Sequence, residues 1–134
     1  MHDLIARHEG KRLKPYKDTV GKLTIGYGRN LDDVGISGEE ADAMLWRDIE
    51  RAIAAGLRYS WFKGLSEVRM AVVVDMIYNL GPGGFRSFVN MRAALKAHRW
   101  ADASRAMLNS KWAVQVPTRA KRLAKMMRAD MWPN

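Results

Sequence analysis

The sequence predicts an α+β, mostly α-helical fold: a small amino-terminal lobe with a β-hairpin and a larger helical carboxyl-terminal lobe, joined by a long helix. Three observations predict it. Apolar residues alternate with period two only between residues 15 and 31. Ser37-Gly38-Glu39-Glu40 has the S-x-x-E form of a capping box that opens a helix. From residue 66 onward apolar residues recur at helical spacing, with Gly-Pro-Gly-Gly at 81–84 as a break. The expected organisation is a single domain over 1–134, with residues 10–40 in the small lobe, 1–9 and 59–134 in the helical lobe, and 37–58 as the connecting helix.

The elements follow in order. Residues 3–9 read as a short helix stopped by Gly10, which places Glu9 in its last turn. The helix dipole disfavours a carboxylate there, so helix stability does not account for Glu9. Leu23, Ile25 and Tyr27 then fall on one face of an extended segment and Thr24, Gly26 and Gly28 on the other. The bulky face is expected to pack on a core and the bare face to lie open. Asp18-Thr19-Val20-Gly21 supplies the turn of the hairpin. The helix opened by Ser37 should run to about Leu57, with Ala41, Met44, Leu45, Asp48, Ile49, Ala52 and Ile53 as its stripe. Further helices are expected at 66–80, 85–98, 101–109 and 118–129, and the first of these is apolar around most of its circumference, as a central helix would be.

Composition narrows the function. With 134 residues and 48% hydrophobic content the chain can fill a core, and the absence of cysteine excludes disulfides and cysteine-based zinc sites. Lys and Arg number 23 against 14 acids, a net charge of +9 that favours polyanionic partners: nucleic acid, anionic lipid or an anionic cell wall. No signal peptide or membrane span is expected, since the longest apolar run, 70–74, stops at Asp75. Cytoplasmic synthesis is the corresponding expectation.

No metal or other cofactor is expected. His8-Glu9 lacks the second histidine of H-E-x-x-H, and His2 and His98 are isolated. Gly26-Tyr27-Gly28 has Leu31 where a dinucleotide loop needs its third glycine. Nucleophilic triads lack their parts as well. Two carboxylates, Glu9 and Asp18, remain as candidates for glycoside cleavage, one protonating the departing oxygen and the other serving water or the anomeric carbon. Thr24 could hold a water near Asp18, and Gly26 and Gly28 leave room for a sugar. On spacing alone, a solvated Glu9 with a turn-forming Asp18 is the reading that stays ahead.

The motifs H-E-G at 8–10, K-x-Y-K-D-T at 14–19, T-I-G-Y-G at 24–28 and SKWAVQVPTRAKR at 110–122 resemble the phage lysozymes, or endolysins. The resemblance covers nearly the whole chain and implies a lysozyme-like fold. It also implies an N-acetylmuramidase that hydrolyses the β-1,4 bond between N-acetylmuramic acid and N-acetylglucosamine with inversion, in the service of host cell lysis. Glu9 would be the general acid, Asp18 the carboxylate that positions or activates water, and Thr24 the residue that orients that water. Asn30, Tyr78, Asn79, Gln115 and Arg119 match substrate-binding positions, Arg119 near Glu9, while Trp112 is read as structural. A neighbouring cation favours an ionised carboxyl whereas a general acid must be protonated, so burial under substrate would have to outweigh Arg119. A holin-type membrane partner, release from the host cytoplasm to the cell wall, and a monomeric state complete the expectation.

Two features depart from the family pattern. Arg29 stands where many members have histidine, and the link from Leu31 to Ser37 is short, so the amino lobe should lack part of its sheet or a helix. Two rival functions are a lytic transglycosylase, which cuts the same bond with one acid and no added water, and a basic nucleic-acid-binding module. The module leaves Glu9, Asp18 and Thr24 unexplained, and no specific nucleic-acid partner is expected. The basic segment 118–128 reads first as a docked helix with a solvated charged face, and second as an accessory contact for an anionic envelope.

Overall fold

The computed structural model describes residues 1–134. It contains seven helices and a three-stranded antiparallel sheet, as the α+β expectation requires. The chain separates into two compact units, Met1–Leu45 and Trp46–Asn134, and the division falls inside the long helix.

In the first unit, helix α1 (His2–Glu9) ends at Gly10, whose φ of 71° closes the helix while its N–H donates to Ala6 O. Strands β1 (Arg12–Lys17), β2 (Leu23–Gly26) and β3 (Arg29–Asn30) follow in the order β1-β2-β3. Thr24 faces Tyr16 on one side and Asn30 on the other. The turn forms where Asp18 and Gly21 place it, with Gly21 N–H donating to Asp18 O at 3.0 Å.

The faces of β2 are opposite to expectation. Thr24 is buried (3% exposed), whereas Leu23 (37%) and Tyr27 (46%) lie largely in solvent. A threonine tolerates burial when its hydroxyl is bonded, and this one donates to Lys22 O at 2.9 Å. Thr24 is the single buried residue of the first unit. The short link after Leu31 adds no element that could cover the apolar residues.

Helix α2 (Gly38–Gly56) opens with the capping box: Glu40 N–H donates to Ser37 Oγ at 3.1 Å, and Ser37 N–H to Glu40 Oε1 at 3.0 Å. Arg29 reaches the same carboxylate at 2.9 Å and Gly35 O at 3.1 Å, which ties β3 to the start of α2. Of the expected stripe only Ala52 is buried, and the other buried residues of the helix are Ala55 and Gly56 at its end. Met44, Leu45 and Ile53 remain exposed.

The second unit holds the hydrophobic core. Helix α3 (Glu67–Arg86) is capped by Ser66 and buries Val68, Val72, Val73, Met76 and Ile77, the central role its composition indicated. The Gly-Pro-Gly-Gly break is a kink at Gly81 (φ 77°), and the helix resumes to Arg86. The helix expected at 85–98 is accordingly divided between the end of α3 and α4 (Val89–Lys96). Helices α5 (Trp100–Leu108), α6 (Lys111–Gln115) and α7 (Pro117–Ala129) complete the unit. Helix α6 was not anticipated, because five residues are too few to display a helical period.

Phe62, Phe85, Met76, Met91, Leu95, Met107 and Met127 are fully buried in this core. Methionine suits the task because its flexible thioether fills the irregular gaps between short helices. Helix α7 is docked, burying Ala120, Leu123, Ala124, Met126 and Met127 and leaving Lys121, Arg122, Lys125 and Arg128 in solvent. Its carboxyl end is fastened to the start of α3, where Arg69 Nε donates to Met127 O at 2.7 Å and Ser66 Oγ bonds Asp130. No helix is long and apolar enough to cross a membrane.

The Arg29 hydrogen bond, aided by the Ser37 N–H, holds the Glu40 carboxyl down at about 2. A depressed carboxyl contributes stability above its ordinary range and loses it as pH falls through the folded value. The gap in thermal midpoint between wild type and Glu40→Gln should therefore be constant above about pH 4.5 and close toward about pH 2. Circular dichroism melts across that range check it.

Candidate active site

Glu9 projects from the last residue of α1 and is exposed. Its carboxyl lies over Gly28, where a Cβ would stand 2.5 Å from Glu9 Oε2 and 3.1 Å from Cδ. Gly28 also has a φ of 73°, so backbone and space both call for glycine. The expected sugar space at this position is thus occupied by the acid itself. Gly26, with nothing within 4 Å of its would-be Cβ, keeps the open surface.

Asp18 and Thr24 are positioned by one residue between them. Asp18 Oδ1 accepts from Lys22 N–H at 2.8 Å and from Val20 N–H at 3.0 Å. Lys22 O accepts from Asp18 N–H at 2.9 Å and from the Thr24 hydroxyl at 2.9 Å. The turn role of Asp18 is therefore real, and it consumes one carboxylate oxygen while orienting the other. Thr24, with its hydrogen given to Lys22 O, presents only lone pairs to any further partner.

Asn30 also sits in this unit, at the end of β3. Its side chain accepts from Asp33 N–H at 3.0 Å and donates to Asp33 Oδ2 at 2.9 Å, a turn-capping arrangement. Lys22 Nζ joins Asp33 at 3.1 Å, and Asp32 accepts from Leu23 N–H at 2.7 Å. The loop after β3 is thereby bonded to the start of β2.

The remaining candidates lie in the second unit. Trp112 is buried at 3% exposure and donates its indole N–H to Asn79 Oδ1 at 2.7 Å, so Trp112 is a packing residue and Asn79 its partner. Tyr78 and Gln115 are exposed. Arg119 donates through Nε to Asp75 Oδ1 at 2.7 Å, and both are half-buried. Sequence reasoning overlooked Asp75 in this role. Its signal was a lone acid inside an apolar helix, a position that ordinarily requires a partner.

Two carboxylates and an acceptor hydroxyl on one small sheet-containing unit are the parts of an acid–base hydrolytic site. The family model for phage lysozyme matches residues 6–128, a span that includes Glu9, Asp18, Thr24 and the 110–122 segment. The chain belongs to the phage lysozyme family. It is 26% identical to "Probable T4-type lysozyme 1" of Dictyostelium discoideum over 90% of its length and 89% of that protein's. It is 35% identical to "Endolysin" of Acyrthosiphon pisum secondary endosymbiont phage 1, over 61% of this chain and 58% of the relative. "Peptidoglycan hydrolase gp36" of Pseudomonas phage phiKMV is 28% identical across 92% of this chain, which corresponds to 14% of that longer protein. Family membership makes the protein a glycosidase, a lysozyme, with peptidoglycan as its substrate.

Three variants test the geometry. Gly28→Ala should displace the Glu9 carboxyl and lower peptidoglycan clearing about 100-fold, the order expected for a misplacement of about 1 Å. Gly35→Ala, at a φ of 66° with nothing within 4 Å, carries the same backbone strain and should keep most activity. Asn79→Ala should cost about 1–3 kcal/mol in denaturant unfolding by leaving the buried Trp112 indole without a partner.

Proposed function

We propose that the protein hydrolyses the β-1,4 bond between N-acetylmuramic acid and N-acetylglucosamine by a single displacement with inversion. The observation that carries this reading is the shared tie of Asp18 and Thr24 to the Lys22 backbone. A water between them gives one hydrogen to the free Asp18 oxygen and one to the Thr24 oxygen, which leaves its lone pair aimed outward at an anomeric carbon. Asp18 accepts the proton as the water attacks. Glu9 gives its proton to the departing glycosidic oxygen, and a saccharide lying over this exposed side chain removes the water that would otherwise favour its ionised form.

Asn30, Tyr78, Asn79, Gln115 and Arg119 are proposed saccharide contacts. Tyr78 would supply an exposed aromatic face, Asn79 the amide hydrogens that Trp112 leaves unused, and Arg119 the guanidinium hydrogens beyond its bond to Asp75. The biological setting proposed is host lysis by a monomer that a holin-type membrane partner releases from the cytoplasm to the wall.

A transglycosylase needs the acid alone, so the ordered Asp18–Lys22–Thr24 arrangement favours hydrolysis. Glu9→Gln should lower clearing of purified peptidoglycan about 100- to 10,000-fold, the range for loss of a general acid. Asp18→Asn retains a turn-forming acceptor and should fold normally while losing most activity. Mass spectrometry of digests in ¹⁸O-water should show label in the reducing ends; unlabelled anhydro products would overturn the hydrolase reading.

A further inference from the structure

We propose that a hollow beside the Gly81 kink binds the carboxyl-terminal alanine of a peptidoglycan stem peptide. It is a substrate contact within the second unit, whereas Glu9, Asp18 and Thr24 belong to the first. The hollow measures about 200 Å³; it is rimmed by Arg58, Tyr59 and Arg86, walled by Pro82 and underlain by Ile77 and Phe85. Arg58 and Arg86 are exposed, and no acid lines the hollow with them. The ion pairs of the second unit engage Arg51, Arg69, Arg99, Arg105 and Arg119, so neither rim arginine has a carboxylate partner within the protein. The rim is also held in place. Arg92 donates twice to Arg86 O, from Nε at 3.0 Å and Nη2 at 2.7 Å, and its guanidinium lies 5.6 Å from the centre of the Tyr59 ring. Tyr59 in turn stacks on Trp61 at 4.9 Å and meets Phe85 edge-on at 5.7 Å. Charges of one sign over low-dielectric walls focus their field, which concentrates anions at such a place.

Size and lining select among anions. The volume falls below the roughly 300–1,000 Å³ of sites for drug-sized ligands, so the hollow takes one small group rather than a sugar or a nucleotide. A carboxylate matches the paired N–H groups of a guanidinium, and a methyl beside it matches the apolar wall. The terminal alanine of a stem peptide presents the two together, on the polymer that the enzyme cuts. A bare phosphate or a phosphodiester would satisfy the arginines and leave the wall unused. Position supports the same occupant. An adjoining hollow shares Ile77 and Pro82 and is lined by Tyr78, so a glycan strand resting on that ring brings its stems toward the arginines, a step that rests on Tyr78 being a saccharide contact.

Calorimetric titration of the full chain with a synthetic stem tetrapeptide ending in free D-alanine tests the proposal. The peptide carries no sugar, so its binding is independent of Tyr78. Arg58→Gln combined with Arg86→Gln should weaken binding about 100-fold, from about tenfold for each charge-assisted contact. The carboxyl-terminal amide of the same peptide should bind wild type as weakly as the free acid binds that double variant. A control pair with equal charge loss at exposed positions elsewhere, Arg47→Gln and Lys96→Gln, should bind as wild type does. Glu9→Gln should also bind the peptide normally while failing to clear peptidoglycan, which separates the hollow from the hydrolytic residues. On intact peptidoglycan the Arg58, Arg86 double variant should need more substrate for half-maximal clearing and still reach the wild-type maximal rate. Clearing by wild type without peptide binding would overturn the hollow and leave the glycosidase standing. Equal weakening by the two double variants, equal binding of acid and amide, or an unchanged substrate requirement would overturn it too. So would inorganic phosphate bound as tightly as the tetrapeptide, which would assign the hollow to a phosphate-bearing polymer.

Discussion

The amino-terminal unit is too small to have a core, and that constraint governs how its side chains are positioned. Among its 45 residues only Thr24 is buried, so hydrophobic packing cannot fix the orientation of anything else. Polar bonds replace it. Lys22 N–H and O hold Asp18 and Thr24, Asp33 holds Asn30 and Lys22, and Glu40 gathers Ser37 and Arg29 at the start of α2. Each bond is modest in water, and together they fix a hairpin that a hydrophobic face would otherwise have to anchor.

The helical unit works by the opposite rule. Buried aromatic and aliphatic side chains of α3, α4, α5 and α7 set its interior, and a few polar bonds, such as Ser104 Oγ donating to Ala124 O between α5 and α7, cross it. Arg69 and Ser66 secure the last turn of α7, while Asn79 accepts the one hydrogen that buried Trp112 must place. Asp75 serves Arg119 in the same manner. Precision here comes from packing, and hydrogen bonds correct what packing leaves unsatisfied.

Much of this was legible in the sequence, and the limits are physical. The capping box at Ser37, the stop at Gly10, the turn at Asp18 and the break at Gly81 all depend on neighbours within a few residues, so local pattern reveals them. The sides of β2 were misread because alternation says which residues share a face and not which face is covered; Thr24 went inward once Lys22 O received its hydroxyl. Gly28 could be seen to require space, yet nothing local said that Glu9 would fill it. Backbone partners such as Lys22 leave no trace in residue identity. The Glu9, Asp18 and Thr24 spacing was informative through its resemblance to a family, whereas the same letters read alone also fit a solvated acid and a plain turn.

The methionines of the helical core carry a consequence for durability. The chain has nine of them and no cysteine, so thioethers are its only sulfur and its principal target for mild oxidants. Met76, Met91, Met107 and Met127 are sealed inside, whereas Met1, Met44 and Met131 stand open to solvent. Peroxide therefore meets expendable surface sulfur first, and damage begins where the fold has least to lose.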